Sequence, residues 1–392
     1  MPKKQKDYSR EAIRLHEKLR GKIEVQAKAK INNREDLSMY YTPGVGAVSR
    51  LIAKNPSRVW DLTAKHNLVA VVSDGSAVLG LGNIGPEAAL PVMEGKAVLF
   101  KRFAGVDAVP IVLSVQDPDK IVEAAKAIAP GFGGINLEDI AAPKCFSIEE
   151  TLSRELSIPV MHDDQHGTAI VVLAALINAL KVAKKQMNRV KIVVSGAGAA
   201  GVSITKILLT YGAKNIIALD SVGAIYYGRA GLTKHKQELA KVTNLGCRFD
   251  SSLKCEIGNL SSVIRGADIF IGVSAPEILT ADMVSHMNKK PIVFALSNPV
   301  PEIMPEAAKR GGAFITATGR SDFPNQINNT LAFPGVFRGA LDHGVKKITM
   351  KMKVRAASNL ANIIQEPRAN YIIPSVFDKR VVPAVSRAIR ER

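Results

Sequence analysis

The sequence is short of the residues that staple or anchor a chain. Its 392 residues include three cysteines, one tryptophan and 5% aromatics. Cys145, Cys247 and Cys255 form no CxxC pair. That spacing argues against a zinc site and predicts free thiols in a reducing compartment, without a disulfide frame. No run of 18 or more uninterrupted apolar residues occurs, so no membrane association is expected. The richest stretch, TAIVVLAALINALKVA, carries Asn178 and Lys181 and reads as a buried helix. The opening MPKKQKDYSREAI is basic and lacks the apolar core of a secretory signal, which predicts a cytoplasmic protein.

Acidic residues are scarce at both ends. Residues 1–60 hold 14 Lys and Arg against 6 Asp and Glu, and residues 341–392 hold 11 against 4, within a net charge of +18. Such ends suit nucleic acid or anionic lipid. No helix-turn-helix, zinc spacing or aromatic-interleaved basic motif accompanies them, so nucleic acid is not the expected partner. The basicity reads instead as a solvated surface that steers an anionic substrate. A basic nucleic-acid-binding protein on a relict enzyme fold is the alternative from a different class.

What is present is an alternation of short apolar runs and helices from about residue 68, the pattern of parallel α/β structure. The segments NLVAVVSDG, VPIVLSV, GGINLED and IPVMHDD each read as a buried strand ending in polar or acidic residues. DPDKIVEAAKAIAP and SIEETLSREL read as helices, the second opened by a capping box of Ser147 and Glu150. Residues 8–30 read as a charged surface helix running into an extended segment. Three parts are expected: an α/β domain at 1–165, a Rossmann-like domain at 166–325, and C-terminal helices at 326–392 that return to the first domain.

GxGxxG occurs twice. Gly196, Gly198 and Gly201 follow the strand VKIVVS and open a helix free of Pro and Gly until Gly212. Such a helix aims its N–H groups and positive dipole end at a pyrophosphate. Residues 196–201 (with Ala197, Ala199 and Ala200) are therefore the expected dinucleotide turn. Asp220, 19 residues past Gly201, ends the next strand, where it would accept bonds from ribose hydroxyls. Its charge favours NAD by repelling a 2′-phosphate, while Arg229 and the lysine-rich segment after Leu232 leave room for NADP. The copy at Gly80, Gly82 and Gly85 is followed by Pro91 and Gly95. It is expected to be a turn beside the substrate, with no long helix after it.

Two carboxylate pairs, Glu138-Asp139 and Asp163-Asp164, end predicted strands, where parallel sheets place their ligands. Gathered carboxylates repel one another unless a hard cation or a lysine compensates. Oxygen ligands without Cys or clustered His favour Mg²⁺ or Mn²⁺. His162 and His166 flank the second pair and read as packing or helix-terminal residues. Lys96 is expected at the start of an apolar strand, where burial would lower its pKa toward that of a base. Tyr41 precedes a Pro-Gly turn that would hold it rigidly.

Together the segments YYTPGV, SDGSAVLGLGNIGPEAALPVMEGKAVLFKRFAGVDAVPI, GGINLEDIAAPKCF, PVMHDDQHGTA, VVSGAGAAG, ALSNP and SDFPNQINN resemble the malic enzymes, in their short bacterial and archaeal form. The resemblance implies oxidative decarboxylation of malate to pyruvate, decarboxylation of oxaloacetate, and a homodimer. It implies Lys96 as the base at the C2 hydroxyl and Tyr41 as the acid at C3, close to each other. Glu138, Asp139 and Asp164 would hold the metal, and Asp163 would set the protonation of Lys96. Asn298, Asn329 and Asn328 would lie near the substrate, with Asn298 also near the nicotinamide. Ala77 stands where animal enzymes carry a substrate-binding arginine, which leaves the partner of the malate C1 carboxylate open. The nearest rivals are the malolactic enzymes, which share fold, NAD and metal but release lactate and are longer.

Overall fold

The computed structural model describes residues 8–78, 80–248 and 253–391. Two sheets organise them. The first is fully parallel, in the order β2-β1-β3-β4, from β1 (Leu68–Ser73), β2 (Asp107–Val112), β3 (Gly134–Leu137) and β4 (Val160–His162). The second comprises β5 (Lys191–Ser195), β6 (Asn215–Asp220), β7 (Gly223–Ala224), β8 (Ile269–Gly272), β9 (Ile292–Ala295) and β10 (Ile315–Thr318). Its order is β10-β9-β8-β5-β6-β7, with β7 alone antiparallel. The central strands are buried and mainly apolar, as strands covered on both faces are. The α/β class and the Rossmann-like sheet expected from the sequence are both present.

Between the sheets runs the helix Asp163–Ala183, buried from Ala169 to Leu180. By length and composition it would cross a membrane, but it is mostly buried in the core. Its neighbours include Ala199–Tyr211, the helix after the second glycine turn, and Met350–Ala361 near the C-terminus. The C-terminal helix Phe333–Asp342 packs against Pro86–Ala104. Phe100 meets Phe333 and Phe337 edge-on at 4.7 and 5.5 Å. Burying each such ring stabilises the fold by about 1.5–3 kcal/mol.

Four local expectations are corrected. Lys96 lies in the helix Pro86–Ala104, not a strand, and that helix runs through Pro91 and Gly95. Ala89, Met93, Ala97 and Phe100 make a buried stripe at helical spacing, and this packing outweighs the hydrogen bond that Pro91 cannot donate. The helix expected from Ser147 begins earlier, at Lys144, so Ser147 caps nothing and donates to the Lys144 carbonyl. The N-terminal helix ends at Leu19 rather than near residue 30.

Finally, Cys247 and Cys255 are joined by a disulfide, and Cys145 is buried and free. Asn244 exchanges two hydrogen bonds with the backbone of Glu256, the residue after Cys255, which holds Cys255 near Cys247. An eight-residue spacing carries no signal of that closure.

Candidate active site

The carboxyl ends of β3 and β4 bring the two acidic pairs together. Glu138 and Asp139 follow β3, and Asp163 and Asp164 open the helix after β4. Carboxylate oxygens of Glu138, Asp139 and Asp164 lie within 4.8 Å of one another. Asp139 has a left-handed backbone, φ 53°, which Asp tolerates better than most residues. Its N–H donates to Asp164 Oδ2 at 2.8 Å. A turn from the first sheet braces the cluster: the Ala77 N–H donates to the Asp139 carbonyl, and the Ala141 N–H to Ser76 Oγ.

Lys96 enters from the helix Pro86–Ala104. Its ammonium lies 2.5 Å from Asp163 Oδ2 and 2.9 Å from Glu138 Oε1, and 4.4 Å from the centre of the Phe333 ring. Burial by itself would lower its pKa, but Asp163, Glu138 and Asp164 outweigh burial and raise it above the ordinary lysine value. The expected downward shift is therefore corrected for the chain as it stands. Burial and the neighbouring acids hold Glu138 well above the usual carboxylate range, against the pull of Lys96.

Sequence reasoning missed a second ion pair here, with its acid buried and its lysine half-buried. Lys144 Nζ lies 2.5 Å from Asp74 Oδ2, and the opposite oxygen of Asp74 accepts from Ser76. Both residues stand in matching segments quoted above, but nothing in their spacing pairs them.

The remaining expected residues divide. Asn329 lies against the start of the Asp163–Ala183 helix: a Cβ built on Gly167 would sit 3.2 Å from the Asn329 Cβ and 1.9 Å from Asp163 Oδ1. Asn328 spends its side chain on the Thr330 N–H. Asn298 follows β9, and its carbonyl oxygen lies 2.5 Å from where a Cβ on Gly80 would stand. The first glycine turn therefore touches the loop of the second sheet. Tyr41 is different. It is 65% exposed, and among the described residues no hydrogen bond joins it to the Lys96 cluster.

At the second glycine turn, Gly196 has φ +114°, and a Cβ on Gly201 would meet the Gly196 carbonyl oxygen at 1.8 Å. The helix that follows has no side-chain cap, so its first N–H groups face outward. Asp220 ends β6 but is occupied. Arg229 clamps both its oxygens, Lys236 approaches to 2.7 Å, and the Val222 and Gly223 N–H groups donate to it. Burial pushes its carboxyl up, and these partners pull it well below the usual range.

Comparison with known proteins identifies the family. The family model for the malic enzyme N-terminal domain matches residues 20–153, and that for the malic enzyme NAD-binding domain matches residues 165–390. The chain is 56% identical to the bifunctional malic/malolactic enzyme of Bacillus subtilis, covering 97% of this chain and 91% of that protein. It is 55% identical to the NAD-dependent malic enzyme of Geobacillus stearothermophilus, covering 95% and 76% respectively. Among solved structures, the NAD-dependent malic enzyme of Thermotoga maritima superposes with a TM-score of 0.92 at 50% identity, over 97% of this chain and 98% of that one. The chain belongs to the malic enzyme family of NAD(P)-dependent oxidoreductases.

Proposed function

We propose that the chain is a cytoplasmic homodimer that converts malate to pyruvate and carbon dioxide with NAD or NADP and Mg²⁺ or Mn²⁺. The observation that carries this reading is Lys96 held between Glu138 and Asp163, at the edge of three converging carboxylates. The donor set fits the metal: three hard oxygen ligands and no thiolate suit a Mg²⁺- or Mn²⁺-type cation. When bound at the second glycine turn, the dinucleotide would supply the hydride acceptor, and a cation held by Glu138, Asp139 and Asp164 would supply Lewis acidity for the decarboxylation.

The chain's own residues handle protons and orientation. Lys96 accepts the proton of the C2 hydroxyl. A cation held by Glu138, Asp139 and Asp164 would oppose the positive charge of Lys96 and favour its neutral, proton-accepting form. Asp163 holds the Lys96 side chain in place and keeps the proton that it gains. Asn298 and Asn329 orient the substrate, with Asn328 acting through the turn it caps. Tyr41 returns a proton to C3.

The homodimer accounts for where Tyr41 stands. The first four α-helices, between residues 8 and 62, contain no buried side chain; they expose Ile13, Leu19 and Met39, and Tyr41, which caps the second of them, is likewise more than half accessible. An apolar surface of that extent calls for a partner. We assign it to a second copy and place the contribution of Tyr41 in the assembled dimer.

The cofactor reading also shifts. With two cations on its carboxylate, Asp220 no longer presents a net negative charge to a 2′-phosphate. Discrimination between NAD and NADP is assigned to Arg229 and Lys236.

A malolactic outcome is the second reading. The Bacillus subtilis relative, named for both activities, is covered over 91% of its length, so chain length does not separate the two. The test is product analysis from malate with Mn²⁺ and each dinucleotide. Pyruvate and reduced dinucleotide in equal amounts, abolished by EDTA and restored by Mn²⁺, is expected. Lactate without net reduced dinucleotide selects the second reading, and full turnover by metal-stripped protein rejects the metal assignment.

A further inference from the structure

Behind the Asp163-Asp164 pair lies a buried carboxylate with no part in the reaction steps above. Glu149, on the helix Lys144–Glu155, accepts from the His162 backbone N–H at 3.1 Å and from Gln165 Nε2 at 3.0 Å. Its carboxylate also meets His166 Nε2 at 2.9 Å. All three partners stand within five residues, and the acidic pair lies between the first of them and the other two. His166 in turn meets Ser203 Oγ through Nδ1 at 3.0 Å, on the helix that follows the dinucleotide turn. The buried Lys353, on Met350–Ala361, faces the same carboxylate. Burial pushes the Glu149 carboxyl up, but His166, Lys353 and His162 together bring it down to about 2. It is a fixed anion.

We propose that Glu149 is a positioning residue that sets the metal affinity of the site by fixing the turn His162–His166, while touching neither metal nor substrate. The inference rests on the reading above that Asp164 is a metal ligand. Its physical basis is the geometry of attachment. Asp164 is the second residue of its helix, where the backbone still has free donors and several orientations open to it. Three bonds from one rigid acceptor remove that freedom. The same bonds account for His166, which is drawn into the network instead of the metal.

The Mn²⁺ affinity of the full chain, measured by calorimetry without malate or dinucleotide, tests this. Glu149→Gln keeps the shape but sets an amide NH₂ against donors, and it is expected to weaken Mn²⁺ binding about 10–100-fold. Leu152→Ala, one turn along on the same helix and fully buried, lowers the melting temperature and leaves the Mn²⁺ affinity alone. Gln165→Met deletes one bond without changing charge, and a loss of about tenfold is expected. This milder variant decides the matter if Glu149→Gln does not fold.

Mn²⁺ affinity within threefold of wild type in the folded variants, alongside a clear loss in Asp164→Asn, overturns the positioning role alone. Wild-type affinity in Asp164→Asn overturns the ligand assignment and this inference with it.

Discussion

The pocket around Lys96 and the segment around Tyr41 carry the two residues proposed to transfer protons, and they are built in opposite ways. Lys96, Glu138 and Asp163 are each under 10% exposed, and every charge among them is answered within the chain. Tyr41 caps one helix and precedes another, and neither buries a side chain. One half of the proposed site is complete in a single chain, and the other is a surface. In an assembly whose interface supplies part of each site, a single chain shows just such an imbalance.

The sharpest way to break the comparison is to remove each residue in turn. Lys96→Ala and Tyr41→Phe should each lose about 10²–10⁴-fold in turnover, the range for a positioned acid or base. Their stabilities should diverge. Removing Lys96 leaves buried carboxylates uncompensated and should cost about 3–5 kcal/mol. Tyr41→Phe alters an exposed ring and should leave the melting curve in place. Equal destabilisation would erase the distinction between the regions.

The surface itself can be tested next. Met39→Glu places a charge on the uncovered face and should shift the proposed dimer toward monomer in light scattering, with a matching loss of turnover. A variant that stays dimeric and active would move the interface elsewhere.

Exchange of the methyl hydrogens of pyruvate with deuterated solvent, in the presence of metal and reduced dinucleotide, isolates the step assigned to Tyr41. Tyr41→Phe should fail that exchange. Exchange at the wild-type rate would reduce Tyr41 to a packing residue of the interface.

The smallest expected effect concerns the dinucleotide. Arg229→Ala and Lys236→Ala should each lower kcat/KM for NADP relative to NAD by about ten- to thirtyfold, the effect of one charge contact in a partly exposed site. An unchanged ratio would return the discrimination to another residue.

Strands and the dinucleotide turn were legible in the sequence because each rests on local pattern. NIIALD needs only apolar continuity, and GAGAAG needs only a strand before it and a helix after it. The clustering of the acids was legible because strand ends converge in parallel sheets. What escaped was set by partners distant in sequence. The helix at Lys96 depends on packing that outweighs Pro91, and the upward shift of the Lys96 pKa depends on acids 42 and 67 residues away. Asp220 was read as a free acceptor because its guanidinium clamp closes only in three dimensions. Glu149 gave no signal, since its three donors lie beyond the end of its own helix.

Co-expression of the Tyr41→Phe and Lys96→Ala chains, followed by purification of the mixed dimer, tests the division of the site most directly. If each site takes Lys96 from one chain and Tyr41 from the other, the mixed dimer holds one intact site. A statistical mixture should then recover about a quarter of wild-type turnover. Each variant prepared alone should remain inactive. A mixture no more active than the separate variants would contradict the account and place both residues in one chain's site.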